Sequence, residues 1–215
     1  MKKTLLPLAS VILAGSAQAA ITYVDADPTN TTLADGSALT VTTSGTNAPA
    51  DGTTWHIRTS HGNVGPDIYC VAPAASAPEI RTTISGLAAG NYNLYAYYWV
   101  GGGAAPTGNN RWDIRAGLVS GALTDYEWDD APVADNADID PDILVDDGGA
   151  RYLHQINLGV VTVDGAGLAH VYIDDFSGND NRTWYDGVGY ELVPEPSSTA
   201  LLGLGGLTLM IRRRR

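Results

Sequence analysis

Ten carboxylates lie between Asp125 and Asp147, and this is the densest chemistry in the chain. Asp138, Asp140 and Asp142 alternate there, so their oxygens could fold over one hard cation. Calcium takes six to eight oxygens at about 2.3–2.6 Å, which makes it the one cofactor that the residues suggest. The EF-hand pattern is absent, because Pro141 and Ile143 stand where a glycine turn is needed and no downstream glutamate follows. A solvated acidic loop, kept open by self-repulsion, accounts for the same residues. Asp174 and Asp175 form a second group, followed by Asp180 and Asp186. They read as strand-end caps or as ligands of a structural cation.

Aromatic side chains offer a different chemistry. Tyr92, Tyr95, Tyr97, Tyr98 and Trp99 crowd one segment, with rings on both of its faces. One face must be core. The other, with Tyr95, Tyr97 and Trp99, could stack on sugar rings, or a loop such as 101–110 could cover it. His56, His61, His154 and His170 lack ligand spacing such as H-x-x-x-H, so neither a zinc site nor a histidine base is indicated. Nucleophile-elbow, P-loop and dinucleotide motifs are missing. Paired carboxylates for glycoside hydrolysis could be drawn from so many acids that their presence discriminates nothing. Asn30 and Asn181 open N-x-T sequons, a weak signal here.

The elements that must hold these residues alternate with period two. In 79–85, Ile80, Thr82 and Ile84 share one side while Arg81, Thr83 and Ser85 share the other. A Gly/Asn turn over 85–91 leads into the aromatic strand 92–100. In 111–118, Trp112, Ile114 and Ala116 oppose Arg111, Asp113 and Arg115. Segments 152–163, 169–176 and 183–193 are similar, and earlier candidates are 21–25, 39–43 and 54–58. Short strands between Gly/Asn/Asp/Pro loops predict an all-β, antiparallel β-sandwich. A jelly roll of the galactose-binding type is preferred over an immunoglobulin-like sandwich. The G-L-A-A-G-N-Y approach to the aromatic strand resembles hairpins of such secreted modules.

The two ends differ from the middle. Lys2 and Lys3 precede an apolar stretch over 5–14, and Ala17 and Ala19 supply the small residues that a signal peptidase needs. Residues 1–19 thus read as a secretory signal peptide, cut after Ala19. At the other end, Pro194, Glu195 and Pro196 precede an apolar run over 199–211, and Arg212, Arg213, Arg214 and Arg215 close the chain. As a helix that run reaches roughly 20 Å, against about 30 Å of hydrocarbon. Gly203, Gly205 and Gly206 weaken it by about 1 kcal/mol each relative to alanine. The arginines can snorkel and hold the end at the cytoplasmic face. This suits a transient anchor. The domain lies between, at 20–192, with the sorting segment at 193–215.

Without its ends the chain keeps six basic against 23 acidic residues, a net −17. That excludes nucleic acid and anionic lipid as partners. Cys70 is the only cysteine, so no internal disulfide forms despite an oxidising compartment.

The Pro194-Glu195-Pro196 turn, short apolar helix and arginine tail resemble the PEP-CTERM sorting signal of bacterial exosortase substrates. That resemblance implies export, a cut near the motif by a membrane-embedded cysteine transpeptidase, and attachment to the cell surface or to extracellular polysaccharide. The two prolines would hold the backbone extended for that enzyme. The reading is a non-enzymatic adhesive or structural surface module with some affinity for glycan. A small secreted hydrolase working through two carboxylates is the alternative.

Overall fold

Alternation along each strand is met by burial on one side, and this builds two facing sheets. The computed structural model describes residues 20–39, 42–43, 55–58, 67–71, 77–101, 114–126, 139–140, 151–175 and 182–194. Its strands are β1 Thr22–Asp25, β2 Thr31–Leu33, β3 Thr42–Thr43, β4 His56–Arg58, β5 Asp67–Val71, β6 Ile80–Ser85 and β7 Gly90–Gly101. They continue with β8 Ile114–Val119, β9 Ala122–Tyr126, β10 Ile139–Asp140, β11 Arg151–Val163, β12 Leu168–Asp175 and β13 Arg182–Leu192. All of them fall within one compact unit, Ala20–Val193. The remaining unit, Met1–Ala19 with Pro194–Arg215, lies outside the described residues except for Pro194.

The eight-stranded sheet runs β10-β11-β7-β13-β5-β4-β3, with β1 also paired to β13; the five-stranded sheet runs β2-β6-β12-β8-β9. Pairing is antiparallel except between β3 and β4. Eight of these strands decide the topology. The order β5-β13-β7-β11 faces β6-β12-β8-β9, so β5 to β8 change sheet at every step, as do β11 to β13. Two interlocked Greek keys of this kind make a jelly roll. The expectation of a jelly roll over an immunoglobulin-like sandwich therefore holds.

The core lies between the sheets. Ile80, Thr82 and Ile84 of β6, and Ile114 and Ala116 of β8, are buried as their alternation requires. They meet Leu94, Ala96 and Tyr98 of β7 and Tyr185 and Val188 of β13. A polar link crosses this apolar layer. The Tyr185 hydroxyl donates to Thr82 Oγ1 at 2.6 Å, and Thr82 in turn shares a 2.9 Å hydrogen bond with Thr31. All three side chains are buried, so each polar atom needs its partner.

One sequence expectation needs correction. The Gly/Asn turn between β6 and β7 is not a hairpin, because the two strands belong to different sheets. It arches over one end of the sandwich, where Leu87 N–H donates to Gly167 O at 3.1 Å. Gly167 has φ +69°, and a Cβ there would stand 2.8 Å from Leu87 O. The two arches, 86–89 and 164–167, are thus locked together at close range. A side chain at that position would part them.

Candidate functional site

The concentrated polar chemistry of the described residues sits on the face of the eight-stranded sheet that points away from the core. Its centre is β13. The pairing of β13 with β7 breaks between Tyr185 and Gly187, leaving Asp186 as an extra residue. On the opposite edge, residues 182–185 pair with β5 and residues 187–190 pair with β1. Asp186 therefore stands at the junction of three neighbouring strands. Its carboxylate accepts the Tyr23 hydroxyl at 2.6 Å and Trp99 Nε1 at 3.0 Å, and its carbonyl accepts Ala26 N–H at 3.0 Å.

Two more pairs repeat the arrangement along the face. The Tyr95 hydroxyl donates to Glu191 at 3.0 Å, and the Tyr97 hydroxyl donates to Gln155 at 2.6 Å. Glycines make room for these rings. A Cβ at Gly187 would collide with Val24 O and come within 2.7 Å of the Tyr23 hydroxyl; at Gly189 it would meet the Tyr97 ring at 2.9 Å. Tyr23 packs edge-on against Tyr97, with centroids 5.2 Å apart at 81°. Such pairs contribute about 0.5–1.5 kcal/mol beyond the area they bury.

This geometry overturns the sugar platform expected from Tyr95, Tyr97 and Trp99. The three rings do share a face, but they are 6%, 4% and 0% exposed. Their polar ends are already committed to side chains of the same face, so no ring is open to stack on a sugar. Tyr23, Asp25, Gln155 and Glu191 are not among the candidates that the sequence pattern suggests. A signal was present: Gly187 and Gly189 leave gaps beside the alternating rings of Tyr95, Tyr97 and Trp99.

Asp25 differs from Asp186 in its surroundings. It accepts a long 3.3 Å hydrogen bond from the Tyr23 hydroxyl that also serves Asp186. Burial, and then the Asp186 charge, push its carboxyl up to about 6. The same two causes push the Tyr23 hydroxyl far above its ordinary value, so it stays a donor. Burial and Glu191 push Tyr95 up to about 12. A hydroxyl between two carboxylates, one of them titrating near neutrality, can hold or pass a proton.

The other candidate residues do not join this cluster. Asp174 sits beside Arg115, with Oδ2 3.8 Å from the guanidinium, which also holds Asp125 at 2.7 Å. Burial and the neighbouring Asp175 raise the Asp174 carboxyl despite that cation. Asp186 is thus separate from the Asp174–Asp175 pair, and Asp180 lies outside the described residues. His154 is fully buried and tilts against Tyr98, with ring centroids 5.8 Å apart. Burial lowers its pKa to about 4. Of the calcium candidates, Asp138 and Asp142 lie outside the described residues, and Asp140 is placed only by its pairing with Gln155. Among the described residues no three His, Cys, Asp or Glu side chains are grouped to hold a metal. The signal-peptide residues Ala17 and Ala19 lie outside the described residues, as do Glu195, Pro196 and Arg212 to Arg215.

The sorting segment starts where the sheet ends. Val193 N–H donates to Asn91 O at 2.8 Å, closing the last rung of β13, and Pro194 follows, exposed. A family model described as the PEP-CTERM protein-sorting motif matches residues 192–215. The chain carries a PEP-CTERM sorting motif. The motif supports an exported protein of the cell surface or envelope that an exosortase processes. Comparison with curated proteins gave no match. Among solved structures, the chain is similar to a Podospora anserina GH26-CBM35 β-(1,4)-mannanase, at 17% identity and a TM-score of 0.41 over 78% of this chain and 28% of that one. It is also similar to the insecticidal crystal protein Cry2Aa, at 15% identity and a TM-score of 0.36 over 74% of this chain and 23% of that one. The chain thus spans less than a third of either.

Proposed function

We propose that this protein is a non-enzymatic adhesive or structural module, cut from a transient membrane anchor and displayed at the cell surface or in the extracellular polysaccharide. The observation that carries this reading is the junction at 192–194, where a complete jelly roll passes directly into the sorting motif. The aromatic and acidic face of the eight-stranded sheet supports a structural role, since its rings and carboxylates are tied to one another. Any affinity for glycan resides elsewhere than on Tyr95, Tyr97 and Trp99. Mass spectrometry of the protein from the native envelope tests the reading. The expected mature species begins at Ala20 and lacks Arg212 to Arg215. A surface species that retains Arg215 overturns it.

The Asp25–Tyr23–Asp186 group favours a second reading, a small hydrolase in which Asp25 moves the proton. A screen of polysaccharides at pH 5 to 7 with the wild type and Asp25→Asn separates the two. Turnover lost in the variant supports the hydrolase; equal behaviour of the two proteins leaves the structural module.

A further inference from the structure

Both ends of the domain leave the sandwich at one pole. Thr22 of β1 pairs with Tyr190 of β13, so Ala20 and Val193 emerge on adjacent strands at the same level. The registers place two arches at that pole as well. Ser85 pairs with Leu168, and Gly90 pairs with Val163, which puts 86–89 and 164–167 beside the termini. The opposite pole carries the end of β7, the start of β11 and the end of β12. With twelve residues in β7, the poles are roughly 40 Å apart.

The surface at the terminal pole is unusual for so acidic a protein. Among the described residues, Asp164 is its one exposed charge. Ile21 (37%), Val160 (56%), Leu168 (44%) and Leu192 (44%) are exposed on that half of the sandwich. Val160 belongs there because it pairs with Asn93, which pairs on its other side with Glu191. Ile21, Leu168 and Leu192 adjoin the termini and the arches, and exposed apolar groups so placed suit a contact surface.

Chain length then selects the partner. Among the described residues Val193 is the last tied to the sheet, and the apolar run of the tail begins at Thr199. The intervening chain spans at most about 20 Å even when fully extended. That is half the length of the sandwich, so the far pole cannot be turned toward the bilayer. We propose that the terminal pole is a membrane-facing surface, seated on the headgroups of a zwitterionic bilayer for as long as the tail is inserted. This rests on the reading of the tail as a transient membrane segment. The domain's strong negative charge disfavours anionic lipid.

The full chain, reconstituted in phosphatidylcholine vesicles, provides the test. A genetically encoded fluorescent amino acid is placed at Ala166 on the terminal pole or at Ser37, in the turn after β2, on the opposite one. Leu33 pairs with Ile80 at the start of β6, which fixes Ser37 at the far end. With headgroup-nitroxide lipid, quenching at Ala166 is expected to exceed that at Ser37 several-fold. Leu168→Asp combined with Leu192→Asp is expected to reduce quenching at Ala166 without releasing the protein from vesicles. Equal quenching at both positions, in protein that floats with the vesicles, overturns the proposal and leaves the tail reading intact. Protein that does not float overturns the tail reading, and the proposal with it. Quenching at Ala166 that requires a co-reconstituted processing enzyme shows the partner to be protein, which also overturns the proposal.

Discussion

Tyr185 shows how much one hydroxyl does between two sheets. It is fully buried and donates to Thr82, which also bonds Thr31. Tyr185→Phe keeps the ring but leaves a buried threonine short of a donor, and a net loss of about 1 kcal/mol is expected. Urea unfolding of the variant measures this as a lower midpoint at an unchanged slope. His154 makes the domain sensitive to acid. Burial holds its folded pKa near 4, below the unfolded value of 6.5, so the unfolded chain takes up the proton first. Stability is present in full above pH 6.5 and falls as the pH drops toward 4, by about 3 kcal/mol from this residue. Asp25 acts in the opposite sense, because its folded pKa is raised to about 6 and its contribution is lost as the pH rises through that value. Melting curves from pH 7 to pH 4 should therefore fall less steeply for His154→Gln than for the wild type.

At the scale of the element, β13 organises the domain. It lies beside β7 along one edge and shares the other between β5 and β1. Gly187→Ala would drive a methyl group into Val24 O and the Tyr23 hydroxyl, so β1 must separate from β13. A loss of at least about 2 kcal/mol is expected, with faster amide exchange in residues 22–25 and little change in β12. Strands such as β6, β7, β8, β11, β12 and β13 were legible in the sequence, because each buries one side or is long and aromatic. β5 and β9 were not, although both belong to the jelly roll. β9 runs into the acidic segment that reads as loop, and only Tyr126 at its end is buried. Two of its five positions are exposed and two more are half-buried, so the pattern offers little to detect. Alternation along β7 puts Tyr95, Tyr97 and Trp99 on one side, and this much is visible in the sequence. The closure of that side was hidden, because it depends on Glu191, Gln155 and Asp186 arriving from other strands. No local pattern encodes a partner dozens of residues away.

For the whole molecule, the position of the cut matters more than its chemistry. Among the described residues, Val193 is the last one hydrogen-bonded to the sheet. A chain stopped after Pro194 should melt within about 1 kcal/mol of the full-length protein, since it loses no rung of β13. One stopped after Gly187 loses the pairing of 188–192 with β7 and of 188–190 with β1, and is expected to fail to fold by circular dichroism. The adjacency of β1 and β13 has a further consequence. The strand made first and the strand made last are neighbours, and β13 sits inside the sheet rather than at its rim. The sandwich cannot close until β13, the last strand of the domain to be made, has emerged from the ribosome and the secretion pore. Such a chain stays threadable throughout its passage and gains its shape only on the far side.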